Sequence, residues 1–189
     1  MTGVVPNQQI SEMIQSGQIN AAPLVIGAQI QPASLDLRLG NVAYRVRASL
    51  LTGHGAKVTG RLKEFEMHRV DLTDGAVLEK GCVYVVPLME SLALPEGMNA
   101  VANAKSSTGR LDLLTRTITD GGTEFDRIPS GYAGPLYAEI CPRSFSVLVR
   151  PGMRLNQIRF RTGHAVLDDP ALANLHAEIP LVNGDPVID

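Results

Sequence analysis

Apolar residues recur at helical spacing only near the start of the chain. Ile10, Met13 and Ile14 lie three and four positions apart and Gly17 follows them, which predicts a short amphipathic helix near residues 7–16. Beyond it, short runs rich in Val, Ile, Leu, Thr and Tyr alternate with Gly, Pro, Asp and Asn. These runs predict the strands Val42–Val46, Val83–Pro87, Ser91–Leu94, Asn99–Ala102, Thr115–Thr119, Leu136–Cys141, Ser146–Val149 and Gln157–Arg161. Many short strands between turns indicate a mainly β sandwich or barrel.

Composition favours one compact unit that handles a small ligand. With 44% hydrophobic residues, residues 1–189 can bury a core of their own and are predicted to form a single domain. The glycine-rich stretch Gly53–Gly60 is interpreted as a surface loop. A net charge of −2 with scattered basic residues gives no surface for duplex nucleic acid, so any phosphate is expected on a small molecule.

The chain carries no signal for a membrane or for secretion. No stretch reaches the ~18–20 apolar residues of a membrane span, and residues 1–9 lack the basic and apolar regions of a signal peptide. No membrane contact is therefore expected, and the protein is predicted to be cytoplasmic.

The stretch from Lys105 to Arg116 places one cation and three hydroxyl side chains ahead of a short apolar turn. If Ser106 or Ser107 begins a helical turn, its free N–H groups, the hydroxyls and the ammonium of Lys105 converge on one point that suits a phosphate chain. The same residues fit an ordinary capped turn with solvated charges. The residue types alone favour that simpler interpretation.

Glu139 stands in the middle of a predicted strand, Gly134-Pro-Leu-Tyr-Ala-Glu-Ile-Cys141. Strand alternation places it on the face opposite Ala138 and Ile140. A buried carboxyl at this place could take a proton from water and later return it. A strand Glu taken alone more often faces solvent, so a general base and a surface residue both remain open.

Zinc-dependent deaminases combine His-x-Glu with Pro-Cys-x-x-Cys. His176-Ala-Glu178 matches the first half, but the chain has no Cys-x-x-Cys, and Cys82 and Cys141 both precede that histidine. The other histidines have no partner at ligand spacing. No catalytic zinc and no metal site made by the protein are expected, and both cysteines are expected to be buried thiols.

Four motifs in order resemble the dCTP deaminase and dUTPase superfamily over roughly residues 5–162. They are Gln31-Pro-Ala-Ser-Leu-Asp-Leu-Arg-Leu-Gly40, Lys105-Ser-Ser-Thr-Gly-Arg110, Gly131-Tyr-Ala-Gly134 continuing to Glu139, and Pro151-Gly-Met-Arg-Leu-Asn-Gln157. The first is similar to the opening signature of dCTP deaminases. The second resembles the family's Arg-Ser-Ser-x-x-Arg motif, with Lys in the first place. The third resembles the strand that bears the deaminase glutamate, and the fourth is similar to the superfamily's late motif.

The resemblance implies a fold and a reaction. The fold is a distorted jelly-roll β-barrel of the dUTPase-like type with a short N-terminal helix, assembled as a homotrimer or pseudo-trimer with active sites between subunits. The reaction converts dCTP to dUTP and ammonia without a metal held by the protein. Glu139 is implied as the general base, Arg110 as the residue that orients it, and Ser106 as a further catalytic group.

The resemblance also implies how the nucleotide is held. Its contacts are expected from Lys105, Ser106 and Ser107 at the triphosphate, from the backbone of Thr117 and Thr119 at the cytosine edge, from Asp126 at the sugar, and from Gln157. Mg²⁺ is expected to arrive with the triphosphate, held mostly by phosphate oxygens and water. The expected ligands are dCTP and dUTP, and whether dTTP regulates the protein is left open.

Pro129 departs from the superfamily pattern. An Asp usually stands at this place, where dUTPases use it as the hydrolytic base and deaminases as a sugar contact. Because proline cannot activate water, dUTPase activity by the usual route is not expected. Asp126, in the extra segment from Asp120 to Arg127, is the expected substitute at the sugar.

The C-terminal segment is a second departure. Residues 162–189 contain five acidic residues and no Lys or Arg, whereas the short form of the family carries a tail that closes over the phosphates. An acidic tail repels a triphosphate, and the chain resembles instead the N-terminal half of a long, duplicated form. Three hypotheses therefore remain: a dCTP deaminase, a dUTPase or bifunctional enzyme, and a non-catalytic nucleotide-binding or oligomerisation half.

Overall fold

The computed structural model describes residues 2–163, 166–180 and 182–183. His164 and the acidic residues Asp185 and Asp189 lie outside these ranges. The helices within them are α1 Asn7–Gln15, α2 Val58–Phe65, α3 Ser106–Arg110 and α4 Asp169–Glu178. The strands are β1 Gly3–Val4, β2 Ile19–Ala21, β3 Ile30–Gln31, β4 Ser34–Arg38, β5 Val42–Val46, β6 Glu66–Asp71, β7 Ala76–Leu78, β8 Val83–Ala93, β9 Met98–Ala104, β10 Leu113–Thr119, β11 Arg127–Ile128, β12 Ala133–Pro142, β13 Val147–Val149 and β14 Arg154–Thr162.

Two antiparallel sheets of six strands share the main core. The first sheet has the order β11-β9-β14-β4-β3, with β1 also paired to β14, and the second has the order β10-β12-β8-β5-β6, with β2 also paired to β8. Leu37 and Phe160 from the first sheet pack in one cluster with Val86 and Ile140 from the second. The predicted mainly β fold with a short N-terminal helix is confirmed, and the two sheets are not closed into a continuous barrel.

Local patterns locate most elements correctly but miss the continuity of one strand. The helix predicted near residues 7–16 is α1, whose Ile10 and Met13 are buried. The runs Val83–Pro87 and Ser91–Leu94 fall on the single strand β8, except that Leu94 lies one residue beyond its end. Strand β12 pairs along both runs, and β2 pairs with the second half of β8. Whether residues 1–189 form one domain stays a prediction.

Strand β4 escapes the hydrophobic pattern because its polar residues are buried together with its apolar ones. The guanidinium of Arg38 lies 2.8 Å from the carboxylate of Glu90, and both side chains are almost fully buried. Gln29 donates a further hydrogen bond to Glu90 at 2.8 Å. Partners distant in the chain therefore satisfy charges that would otherwise be costly to bury.

The stretch Gly53–Gly60, predicted as a surface loop, is only partly a loop. Gly53 and Gly55 have φ angles of 75° and 72° and form turns, but α2 begins at Val58. The N–H of Val58 donates to the carboxylate of Asp120 at 2.8 Å. A residue 62 positions away thus satisfies the start of this helix, which no local capping pattern reveals.

Among the described residues, none of the helices combines the length and the apolar character that a membrane crossing requires.

Candidate active site

Glu139 lies in the middle of β12, on the sheet face that points away from the main core. Its neighbours Ala138 and Ile140 point into the main core, as strand alternation predicts. Glu139 is nevertheless only 2% exposed. Of the two interpretations open from the sequence, the buried carboxyl is correct, and another part of the chain must cover it.

The cover consists of residues 47–65, which connect β5 to β6 and include α2. A second apolar cluster fills the space between this cover and the sheet, and its buried members are Val46, Leu50, Val58, Leu62, Val85, Ile118 and Tyr137. The outer face of the second sheet is therefore buried around Glu139, although one face of an antiparallel sheet is often exposed to solvent.

Residues 120–127, here called the hairpin segment, fasten the cover from the other side. The N–H of Gly53 donates to the carbonyl of Gly122 at 2.9 Å, and the N–H of Gly121 donates to the carbonyl of Ala56 at 2.8 Å. The hydroxyl of Thr52 donates to the carbonyl of Gly122 at 3.2 Å. Cover and hairpin segment are thus hydrogen-bonded to each other above the site.

Three residues donate hydrogen bonds to the carboxylate of Glu139. Arg116 donates to Oε1 from Nη2 at 2.5 Å and from Nε at 3.2 Å. Ser49 Oγ donates to the same oxygen at 3.1 Å and itself accepts from Arg116 Nη2 at 3.0 Å. The N–H of Leu50 donates to Oε2 at 3.2 Å. Among the described residues, Oε1 therefore accepts three hydrogen bonds, whereas Oε2 accepts one.

Arg116, not Arg110, contacts Glu139 within this chain. Arg116 lies directly across from Glu139 in the β10–β12 register, whereas Leu113 already pairs with Pro142, three residues beyond the glutamate. Arg110 precedes Leu113, is exposed, and makes no side-chain hydrogen bond or ion pair to any residue that the structure describes. The role of Arg110 in orienting Glu139 stays a prediction, which requires a contact from another copy of the chain.

Asp126 bridges the two sheets. Its φ angle is +61°, a conformation that Asp tolerates better than most residues. Its N–H donates to the carbonyl of Thr117 in β10 at 2.9 Å, and its carbonyl accepts from the N–H of Ala102 in β9 at 2.8 Å. Its Oδ1 accepts from the N–H of Thr117 at 2.7 Å. Desolvation by burial raises the pKa of this carboxyl, against the lowering effect of these hydrogen bonds and of Arg116.

The backbone groups that the sequence predicts at the nucleotide base already have partners within the chain, and their contact with a base stays a prediction. Both backbone groups of Thr117 bind Asp126, and the carbonyl of Thr119 accepts from the hydroxyl of Thr52 at 3.1 Å and from the N–H of Gly122 at 3.2 Å. Oδ2 of Asp126 accepts no hydrogen bond from the described residues and is the oxygen most available for the predicted sugar contact. A base that is to accept the N–H of Thr117 must first displace Oδ1 of Asp126.

Lys105 stands at the N-cap of α3 and forms an ion pair inside the chain. Its Nζ contacts Oδ2 of Asp36, a carboxylate whose side chain is 1% exposed. Arg154 Nη1 lies 3.5 Å from the same oxygen, and Oδ1 of Asp36 is buried with no partner among the described residues. Three of the four motifs thus meet here, since Asp36 belongs to the first, Lys105 to the second and Arg154 to the fourth.

The remaining residues of the predicted phosphate site surround this ion pair. Ser106 and Ser107 are the first residues of α3 and are exposed, so neither occupies the cap position that the sequence offered them. Gln157 pairs with Asp36 in the β14–β4 register and accepts from the hydroxyl of Ser34 at 3.3 Å. The strands beneath this group belong to the first sheet, whereas Glu139 lies on the outer face of the second sheet.

Two clefts lie beside these groups. One of about 560 Å³ adjoins the hairpin segment and is lined by His54, Asn99, Ala100, Gly121, Gly122, Thr123, Glu124, Arg127, Ile128 and Pro129. The other, of about 480 Å³, adjoins α3 and is lined by Ala104, Gly109, Asp112, Leu113, Leu114, Thr115 and Arg143. Glu139 lines neither cleft, in agreement with its burial.

Metal-ligating side chains do not gather in the part of the chain that the structure describes: it contains no group of three or more His, Cys, Asp or Glu placed to hold a metal ion. Of the two free cysteines, Cys141 is buried as expected. Cys82 is only half-buried, and its sulfur accepts from Arg45 Nη2 at 2.9 Å.

Sequence reasoning missed Arg116, Ser49, Leu50 and Asp36. Arg116 stands two residues before Ile118 in a predicted strand, so alternation would assign both to one face. The register with β12, which brings that face to Glu139, is not encoded in either strand alone. Ser49 and Leu50 belong to a segment without any chemical motif.

The chain matches a known protein family over most of its length. Residues 1–164 match the family model described as "2'-deoxycytidine 5'-triphosphate deaminase (DCD) N-terminal domain". A relative from Persephonella marina, named "dCTP deaminase, dUMP-forming", is 28% identical over 171 residues, 89% of this chain and 86% of the relative. A relative of the same name from Methanoculleus marisnigri is 32% identical over 167 residues, 86% of this chain and 82% of the relative.

A solved structure has the same fold. The crystal structure of 2'-deoxycytidine 5'-triphosphate deaminase from Agrobacterium tumefaciens superimposes with a TM-score of 0.91 at 53% identity over 99% of this chain. The present chain spans 56% of that chain, little more than half of its length. From the match of residues 1–164, the chain belongs to the family of dCTP deaminase N-terminal domains.

Proposed function

We propose that the protein deaminates dCTP to dUTP and ammonia, with Glu139 as the general base. The observation that carries this proposal is a buried carboxylate, fixed by Arg116, Ser49 and Leu50, in a chain of the dCTP deaminase family. The names of the relatives from Persephonella marina and Methanoculleus marisnigri support the same reaction class.

The proposed chemistry needs one water and one carboxylate. Glu139 takes a proton from the water as its oxygen bonds to C4 of the cytosine, and the carboxyl passes that proton to N3. The carboxylate then moves the remaining hydroxyl proton to the amino group, the C4–N bond breaks, and ammonia leaves. Glu139 returns to its starting state, and dCTP plus water has become dUTP plus ammonia.

The cytosine reaches Glu139 only if the hairpin segment moves. Asp126 occupies the backbone of Thr117, and the ring of Phe125 lies 3.7 Å from the guanidinium carbon of Arg116. Displacement of this segment would free the N–H and the carbonyl of Thr117 for the base, and Asp126, released from Thr117, is proposed to contact the sugar. The proposed catalytic state is therefore more open than the structure described above.

We place the triphosphate at Lys105, Ser106, Ser107 and Gln157, and we place each active site between copies of the domain. The Lys105 group and Glu139 lie on different sheets, and Arg110 makes no contact with Glu139 in its own chain. Both features support a homotrimer or pseudo-trimer, in which Arg110 of another copy approaches the carboxylate. Mg²⁺ enters as part of the substrate, bound to phosphate oxygens. We also propose a cytoplasmic location for this reaction.

The product is proposed to be dUTP rather than dUMP, although both curated relatives are named dUMP-forming. Pro129 stands where a dUTPase carries its hydrolytic Asp. Asp126 is the acidic residue of the hairpin segment that lies nearest to Pro129 in the sequence. Its carboxylate already accepts a hydrogen bond from the N–H of Thr117 at 2.7 Å. These two features favour a chain that stops at deamination.

Product analysis tests the proposal. The protein is incubated with dCTP and excess Mg²⁺ after treatment with a zinc-specific chelator, and ammonia, dUTP and dUMP are quantified. Ammonia with dUTP is the expected result. Release of dUMP would indicate a bifunctional enzyme, activity that returns only with added zinc would indicate zinc chemistry, and binding without turnover would indicate a non-catalytic nucleotide-binding half.

Replacement of the base tests the assignment of Glu139. Glu139→Gln is expected to lower turnover by at least about 10²-fold while dCTP still binds, because the amide keeps the shape but removes the base. The matched control is Glu90→Gln, since Glu90 is equally buried and lies on β8, the strand next to β12 in the second sheet. Its carboxylate pairs with Arg38 of β4, in the first sheet, at 2.8 Å. Near-normal turnover of Glu139→Gln would reject the assignment.

A further inference from the structure

We propose that Arg116 and Ser49 are positioning residues for the reaction, acting through Glu139. The proposal rests on the deaminase function proposed above. Neither residue belongs to the four motifs that resemble the superfamily, and both are found only through the contacts of the folded chain. Their role is to hold one carboxylate oxygen so that the other stays available to exchange protons.

The hydrogen bonds divide the two oxygens of Glu139 into different roles. Oε1 accepts from Arg116 Nη2 at 2.5 Å, from Arg116 Nε at 3.2 Å and from Ser49 Oγ at 3.1 Å. Each carboxylate oxygen offers about two lone-pair sites, so Oε1 has no room for a further proton donor. From the described residues, Oε2 accepts only the N–H of Leu50, at 3.2 Å, and it keeps a lone pair on which a base acts.

Arg116 has two supports that do not depend on the hairpin segment. It faces Glu139 directly across the β10–β12 ladder, and its Nη2 donates to Ser49 Oγ at 3.0 Å. In the structure described here its guanidinium also stacks on the ring of Phe125, 3.7 Å from the ring centroid, a contact that movement of the hairpin segment would release. A planar guanidinium fixed in this way restricts the plane and the rotation of the carboxylate. Restricting a reacting group in this way lowers the cost of reaching the reactive geometry.

Ser49 connects this arrangement to the cover. Its hydroxyl contacts both charged partners, and the next residue, Leu50, donates its N–H to Oε2. Leu50 is anchored in the second apolar cluster together with Val58 and Leu62 of α2. Packing of the cover therefore determines where two of the donors to Glu139 lie.

The test measures kcat and KM for dCTP in the full chain carrying Arg116→Gln, Arg116→Lys or Ser49→Ala. Arg116→Gln is expected to lower kcat by about 10²-fold with KM nearly unchanged, the order of loss that follows misplacement of a reacting group. Arg116→Lys is expected to have a higher kcat than Arg116→Gln, because lysine keeps the positive charge but lacks the two N–H donors of the guanidinium. Ser49→Ala is expected to lower kcat by less than Arg116→Gln does. Arg45→Gln is the matched control, since Arg45 lies in the same sheet, pairs with Glu79 at 3.1 Å and is 29% exposed, against 30% for Arg116.

A double variant separates positioning from a separate catalytic role. In the Glu139→Gln background, Arg116→Gln is expected to change the residual rate very little, because the group through which it acts is already absent. An equal loss in both backgrounds, an unchanged kcat in Arg116→Gln, or the same loss in Arg45→Gln would overturn the proposal. If Arg116→Gln does not fold, Ser49→Ala decides the question, and an unchanged kcat there overturns it.

Failure of the underlying function gives a different result. If the wild-type chain releases no ammonia from dCTP, the deaminase proposal fails, and the positioning role falls with it. If the wild type is active and the Arg116 and Ser49 variants match its kcat, the deaminase proposal stands and only the positioning role is rejected.

Discussion

Replacing Lys105 by Ala is expected to weaken the binding of dCTP strongly and the binding of deoxycytidine hardly at all. Lys105 precedes the two exposed hydroxyls of Ser106 and Ser107, and its side chain remains 25% exposed although its ammonium contacts Asp36. A phosphate that approaches the serines therefore meets a cation already held in place. The nucleoside has no phosphate and should not respond to its loss.

The size of the effect follows from the charge-assisted hydrogen bond that is removed. Such a bond contributes about 1.5–3 kcal/mol, which corresponds to about 10- to 150-fold in Kd. Because Asp36 already accepts from the same ammonium, a phosphate must share it, and we expect the lower end, about tenfold for dCTP. The affinity of dCMP should fall between those of the nucleoside and the triphosphate.

The same variant also changes the stability of the fold, and this effect must be separated. Without Lys105, the buried carboxylate of Asp36 keeps only Arg154, at 3.5 Å from Oδ2. A buried charge left with poor partners costs roughly 1–3 kcal/mol or more. Adding Asp36→Asn to Lys105→Ala removes that charge, so the double variant should recover stability but not the affinity for dCTP.

Calorimetric titration of deoxycytidine, dCMP and dCTP into the wild type, Lys105→Ala and the double variant provides the measurement. The lost cation should also make the remaining binding of dCTP less sensitive to salt. Equal losses for nucleoside and triphosphate, or an unchanged Kd for dCTP, would show that the phosphate site is misplaced. Ser106→Ala should not lower stability by the ~1 kcal/mol of a lost cap, because Lys105 occupies the cap position.

Two further predictions concern the parts of the chain that enclose Glu139. Burial raises the pKa of Asp126, so its contribution to stability is largest below the unfolded pKa of about 3.9 and declines as pH rises through the folded value. Asp126→Asn keeps an oxygen that accepts the N–H of Thr117 but removes the group that titrates. The urea midpoint of this variant should therefore fall less than that of the wild type between about pH 4 and 7. Equal falls of the two midpoints over this range would contradict the prediction. Leu62 belongs to α2 of the cover, and its side chain is 4% exposed where it packs in the second apolar cluster. Leu62→Ala should lower the free energy of unfolding by roughly 2–5 kcal/mol and speed proteolysis of residues 47–57, whereas Leu148→Ala, at an exposed position, should do neither. A loss below about 1 kcal/mol in Leu62→Ala would mean that the cover is not held by this cluster.

Several features were predictable from the sequence because they depend on neighbouring residues. The spacing of Ile10 and Met13 defines the buried face of α1. Strand alternation places Glu139 opposite Ala138 and Ile140, and the strand at Val42–Val46 was located with its observed bounds. The four motifs and their order along the chain are enough to indicate the dCTP deaminase and dUTPase superfamily.

The contacts that make a site were decided only by the tertiary structure. Glu139 is buried because residues 47–65, distant in the chain, fold over it, and it meets Arg116 because of a strand register that neither strand encodes alone. Lys105 meets Asp36 across 69 positions of sequence, and Asp126 spans the two sheets. Local sequence patterns determine which face of its own strand or helix a side chain occupies. The residues that it contacts depend on how elements far apart in the chain pack against each other. This packing decides burial and charge pairing together, because a charged group is buried at low cost only where a partner is available.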